Sequence, residues 1–224
     1  MSSLRWANAV GLIVAFGGMA LLVSPASRVL GAPGRLQTRL LEQLALWGLF
    51  ATLLAIVILW EKLPLASLWL RPMAWRSLAL GVLFAALQIY LVYPVRVWLL
   101  ERAGLPGFAA GAEQILALPL WFRILAVVGA GVVEETLFHG YALTRLGALL
   151  GSYGAAAAIV VPAFALVHYP FWGAGPVLSF LVSGAVGAAF FLGSRDLLAL
   201  IVCHVLVDGM GLVIAPLYTE WWKG

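Results

Sequence analysis

Seven stretches of this chain are apolar over enough residues to cross a lipid bilayer, and they constrain its fold more than any single residue does. A crossing helix needs about 20 apolar residues, because about 30 Å of hydrocarbon is covered at about 1.5 Å per residue. The stretches lie near residues 7–23, 44–60, 77–94, 124–148, 153–169, 175–193 and 196–217. The segment 105–122 is a candidate eighth, apolar but interrupted by Gly and Pro. Composition agrees: 64% of the 224 residues are hydrophobic and 10% charged, with a mean hydropathy of +1.07. A soluble domain is about 45–50% apolar and about 25% charged. Peptide groups in lipid must satisfy one another, so the spans are expected to be helices. The expected fold is all-α, a polytopic transmembrane helical bundle of seven to eight spans. Residues 1–224 are read as one integral membrane domain, with N-terminal spans over 1–120 and the polar motifs over 121–217.

Several partner classes drop out early. The net charge of +4 comes from arginines scattered singly along the connecting stretches, which suits lipid headgroups and gives no nucleic-acid surface. A single cysteine, Cys203, rules out an internal disulfide and any cysteine-based zinc site. The basic residues divide almost evenly between the two sides, so charge leaves the orientation and the oligomeric state open. The first span, followed by Ser-Pro-Ala-Ser at 24–27, is read as a retained signal-anchor. Residues 28–47 read either as an amphipathic interfacial helix or as a polar connector. Trp60, Trp69, Trp75, Trp98, Trp121, Trp221 and Trp222 fall near span ends, as interfacial aromatics do.

Against this background the polar residues inside the spans stand out. Glu134, Glu135, His139, His168, His204 and Asp208 all fall there, and they include every histidine of the chain. A carboxylate near mid-span costs on the order of 2.5–3.5 kcal/mol, so such groups are paired, face a wet cavity, or do chemistry. Glu135 and His139 are four apart, as are His204 and Asp208, so each pair shares a helix face. Phe164 stands one turn before His168 and sets an aromatic ring beside the imidazole. Taken singly, each of these residues reads as an ordinary packing contact. Three separate helices that each carry a histidine face read as one inward-facing centre. Gly129, Gly131, Ala155 to Ala158, Gly184 and Gly187 would let those helices approach closely.

The three motifs, Glu-Glu-Thr-Leu-Phe-His (134–139), Phe-Ala-Leu-Val-His (164–168) and His-Val-Leu-Val-Asp (204–208), resemble those of the CAAX-protease and bacteriocin-processing family. These are glutamic intramembrane proteases that include the type II CAAX prenyl endopeptidases. The resemblance covers roughly 121–217, and two positions depart from it. His139 stands where the family usually has Arg, and Asp208 stands where Asn is frequent. A protonated His139, or Arg145 reaching back from the helix end, would supply the missing cation.

The resemblance implies an endopeptidase acting on a membrane-anchored peptide or protein by a Glu/His-activated water, without metal or cofactor. By resemblance Glu134 is the base, His168 holds the water and serves the leaving amine, and His204 donates to the oxyanion. Asp208 orients His204, or, if protonated, donates beside it. Glu135, His139 and Phe164 are supports. The implied setting is the cell membrane, taken as a bacterial inner membrane from the arginine-rich, lysine-poor basic set. Two alternatives stay open: a metal-dependent membrane hydrolase, and a non-catalytic proton-coupled transporter or scaffold. Neither the His-Glu-x-x-His nor the Glu-x-x-His metal spacing occurs, and no inverted repeat is evident.

Overall fold

A computed structural model describes residues 2–23 and 35–221, and among these the chain is helical throughout, with no strand. Eight helices follow in order. They are α1 (Leu4–Leu22), α2 (Leu36–Trp60), α3 (Trp75–Ala103) and the short α4 (Ala109–Leu116). Next comes α5, made of Leu120–Gly129, Ala130–Leu143 and Thr144–Leu150 end to end. The last three are α6 (Tyr153–Trp172), α7 (Ala174–Ser194) and α8 (Leu197–Tyr218). Six of them, all but α4 and α5, are long and apolar enough to cross a membrane. Large apolar side chains such as Leu59, Leu83, Tyr90 and Leu166 are exposed, as lipid-facing positions are.

The structure corrects the expected spans in physically readable ways. The stretch 124–148 lies within α5, which is wrapped by the others: every residue from Glu135 to Arg145 is buried. A helix buried on all sides belongs in the middle of a bundle. The candidate eighth span is only α4, eight residues long, because Pro106 and Pro119 bracket it.

Helix α2 begins at Leu36 rather than 44, since no Gly or Pro interrupts the strong helix formers from there to Ala45. The question of an amphipathic helix over 28–47 is therefore answered from Leu36 onward by α2, while residues 28–34 lie outside the described ones. Helix α3 runs past Pro94 to Ala103, after a π-wound turn at Gln88–Val92 that opens space for the pyrrolidine ring.

Two connector assignments change with these boundaries. Arg96 and Arg123 are buried inside helices rather than scattered on loops. Trp69 is no belt residue either: its ring lies 4.9 Å from that of Phe191 and 5.4 Å from that of Tyr153. Trp60, Trp75, Trp98 and Trp121 are exposed. The side chains of Trp221 and Trp222 lie outside the described residues.

Glycines set the helix approaches that matter. A methyl group at Gly81 of α3 would come within 2.7 Å of the Ala199 carbonyl oxygen of α8. One at Gly131 of α5 would come within 2.5 Å of Val205 Cγ2, also on α8. Only a residue without a side chain fits either contact, so α8 is drawn tightly against both α3 and α5. Helix α1 closes the other flank of α5, where Phe16 and Phe138 meet edge to face at 5.8 Å.

At one end of the bundle α5 is locked by a buried ionic knot. Arg145 Nη2 donates to Glu61 Oε2 at 2.7 Å and to Ser67 Oγ at 3.0 Å, and its Nη1 donates to the Ser67 carbonyl at 3.1 Å. The Tyr141 hydroxyl donates to Glu61 Oε1 at 2.7 Å. The guanidinium is thus committed to Glu61 and does not reach back to the paired glutamates.

Candidate active site

The paired glutamates sit in the one part of α5 that is not α-helical. Ala130–Leu143 is wound as a π-helix, a rare geometry that concentrates at functional sites. Neighbouring side chains on such a helix diverge by roughly 80–100°. Glu134 and Glu135 therefore face different partners although they are adjacent in sequence.

Glu135 turns toward α8. The His204 Nδ1–H donates to its Oε1 at 2.6 Å, across the approach that Gly131 permits one turn away. Its other oxygen lies 2.6 Å from Nδ1 of His139, four residues along α5. That second approach is off the axis of a hydrogen bond. Glu135 and His139 are both buried. One carboxylate thus sits between two imidazoles, and His139 is the group beside it where the resemblance had implied an arginine.

Glu134 turns toward α6, with its Oε2 3.4 Å from Nε2 of His168. The position of His168 follows from the local sequence. Pro170 supplies no N–H, and the helix breaks at His168, whose own N–H bonds Ala165 one residue short of the α register. The Phe164 carbonyl, left without that partner, accepts the His168 Nδ1–H at 2.6 Å. A carbonyl has no proton to give, so Nδ1 carries one and Nε2 is the nitrogen presented to Glu134. The rings of Phe164 and Phe180 flank the imidazole at 4.7 and 4.5 Å. Gly184 of α7 lies against Phe164 and leaves room for that packing.

Asp208 completes the set from α8, its Oδ2 3.3 Å from Nε2 of His204. It is the most open of the three acids, with a side chain 36% exposed against 12% for Glu134 and 6% for Glu135. All six titratable residues named from the sequence, together with Phe164, line one cavity of about 900 Å³. Ser183 also lines the cavity, and its hydroxyl bonds back to the Ser179 carbonyl of its own helix at 3.2 Å. Among the described residues no three of the His, Cys, Asp and Glu side chains are arranged to hold a metal ion.

Sequence reasoning missed the cations of this cavity. Arg96 of α3 and Arg39 of α2 both line it. Arg96 lies two residues beyond the span expected at 77–94, and Arg39 lies in the stretch 28–47 that reads either as an amphipathic helix or as a connector. The usable signal was the apolar pattern continuing through Val95, Val97, Leu99 and Leu100.

Fold and site together define a multi-pass membrane protein with an acid–imidazole centre enclosed by its helices. Residues 116–210, which carry all three motifs, match the family model described as "Type II CAAX prenyl endopeptidase Rce1-like". The match leaves α1, α2 and α3 outside it. No curated protein and no solved structure matches the chain.

The placement of His139 yields a direct expectation. His139→Arg retains kcat/KM within about tenfold, because the cavity beside the ring can take the longer side chain and a guanidinium can bond Glu135. His139→Leu loses more, since it strips a buried carboxylate of one of its two partners. A well-folded but inactive His139→Arg protein would show instead that the imidazole itself is required.

Proposed function

We propose that this chain is a glutamic endopeptidase that hydrolyses a peptide bond in a membrane-anchored substrate, with Glu134 as base and no metal in the reaction. The observation that carries the proposal is the Glu134–His168 pair, set 3.4 Å apart on the cavity wall with the outer nitrogen of the imidazole already occupied. A water on the cavity side of this pair has an acceptor in Glu134 and a partner in His168 Nε2. Glu134 takes a proton from the water, and the resulting hydroxide adds to the substrate carbonyl. The proton on Glu134 passes to His168 Nε2 across the gap. The C–N bond then breaks while that Nε2–H protonates the departing amine, which returns both side chains to their starting states.

The tetrahedral oxyanion needs donors that are in place beforehand. His204 has its Nδ1–H engaged by Glu135, so Nε2–H is the donor that remains. Asp208 keeps the proton on that nitrogen until the substrate oxygen takes over as acceptor. Asp208 is therefore a positioning group for His204, and Glu135 and His139 hold the same imidazole from the other side. A site enclosed by membrane helices suits substrates delivered by an anchor, either a prenylated C-terminus or a transmembrane sorting tail. The membrane is proposed to be a bacterial inner membrane.

The test uses the purified chain in lipid nanodiscs with an S-farnesylated peptide ending in a Cys-aliphatic-aliphatic-X sequence, and in parallel a sorting-tail peptide. Reaction in ¹⁸O-labelled water is expected to release a C-terminal fragment and place one ¹⁸O in the new carboxylate, with or without EDTA. Loss of cleavage on chelation, restored by added metal, would establish the metal-dependent alternative. No cleavage of either peptide would remove the endopeptidase assignment.

A further inference from the structure

Arginines that stand singly along the sequence converge where α7 meets α8. Arg71 Nε donates to the Arg195 carbonyl at 3.0 Å, and its Nη2 donates to the Ser194 carbonyl at 3.4 Å. Ser77 Oγ donates to Asp196 Oδ2 at 2.7 Å, so Arg76 and Arg195, the chain neighbours of that pair, are drawn to the same place. The Leu197 N–H donates to the Trp69 carbonyl at 3.0 Å and ties the segment 61–74 onto this junction. All three arginines are exposed, as are Arg5 and Lys62 at the same end of the bundle.

Among the described residues no acid neutralises these five cations. Glu61 is closed within the ionic knot, and Asp196 is buried with Oδ1 on the Ala199 N–H and Oδ2 on Ser77. None of the five has a carboxylate within 4 Å. Arg71 keeps its Nη1 free, and no hydrogen bond among the described residues engages the guanidinium of Arg76 or of Arg195. The Arg195 group lies over the Trp69 ring, 5.2 Å from its centre. Lys62 and Arg195 also hold φ at +57° and +49°, just past helix ends where glycine is the usual residue. Each charge is thus carried to the surface at a conformational cost.

The apolar neighbours of the patch narrow the choice of anion. Between Arg71 and Arg76 the chain reads Pro-Met-Ala-Trp, with Met73 80% and Trp75 81% exposed. Trp6 and Trp60 are exposed at this end as well. Tryptophans at span ends sit at headgroup level, which sets the arginines beside lipid phosphates. We infer that Arg71, Arg76 and Arg195 form a binding site for the phosphate of an anionic phospholipid, with Met73 and Trp75 seated among its acyl chains. The bound headgroup joins α3, α7 and α8. It also braces the segment that supplies Ser67 to Arg145, and so the knot on α5. The site is at the end of α3 and α8 away from Arg96 and Asp208, and it stands whether or not the hydrolase assignment does.

The test uses the full chain in detergent with phosphatidylglycerol or phosphatidylcholine added, and bound lipid is counted by native mass spectrometry. A basic residue near an anionic surface adds about fivefold to binding, so three together predict a preference for phosphatidylglycerol on the order of a hundredfold. Arg76→Gln and Arg195→Gln should each lower it about fivefold and leave the fold intact. Arg71→Gln also releases two carbonyls, so Arg71→Lys, which keeps the charge, is compared with it and should recover part of the preference. Arg102→Gln makes the same change in charge at the other end of α3 and should leave the preference unchanged. The thermal midpoint separates the sources of phosphate. A rise with phosphatidylglycerol, but not with inorganic phosphate, supports the lipid site. An equal rise with inorganic phosphate, equal retention of the two lipids, or a loss in Arg102→Gln matching that in Arg195→Gln would overturn the inference.

Discussion

Glu134→Gln is expected to lower kcat by about 10²–10⁴-fold, the usual contribution of a positioned general base, while the protein inserts and folds normally. The side chains are isosteric, and among the described residues the close polar partner of Glu134 is His168. Its neighbour Glu135 predicts the opposite pattern. Glu135→Gln leaves one acceptor oxygen for two imidazoles and turns an amide NH2 toward the other, so it should damage packing as well as rate. Measuring kcat beside the thermal midpoint in detergent separates the two glutamates. Turnover that survives in Glu134→Gln would take the general base away from this residue and leave the mechanism without a proton acceptor on the α6 side.

The second large effect concerns stability, at the opposite functional extreme. Arg145→Met strands the Glu61 carboxylate in a sealed site with only the Tyr141 hydroxyl to satisfy it. Removing one partner of a buried ion pair costs about 3–5 kcal/mol, because the other charge is left uncompensated. The unfolding midpoint in detergent should fall accordingly, and the double variant Glu61→Gln with Arg145→Met should recover much of the loss, since no isolated charge remains. Double-mutant coupling near zero would show that water reaches this end of the bundle and that the knot adds little. The knot is built around Glu61 and Ser67, away from the His168 face, so kcat per folded molecule is expected to change little.

These two residues also show how far the chain could be understood before its coordinates. Both glutamates were visible as costly groups inside a span, but nothing in one dimension separated their roles. Adjacent residues diverge around a helix, and the partner each meets depends on which helix lies on that side. Arg145 was visible as a candidate cation for the glutamates, because it lies on the same helix. Its commitment to Glu61 depends on a loop 84 positions away in sequence. Arg96 lies beyond the span expected at 77–94, whereas a widened turn carries the helix through Pro94 to Ala103.

Sequence alone determined what local chemistry can dictate. A chain this apolar must be solvated by lipid, peptide groups in lipid must close into helices, and a His four residues from an acid shares its face. It also determined that every histidine falls on a span that carries an acid or an aromatic ring one turn away, on three separate spans. Tertiary structure decided the rest: α5 is the enclosed helix, Glu135 bridges two imidazoles while Glu134 faces the third, and an arginine stands in the same chamber. Those outcomes depend on distances between segments far apart in the chain. Such distances are set by where helices without side-chain bulk, at Gly81 and Gly131, can touch.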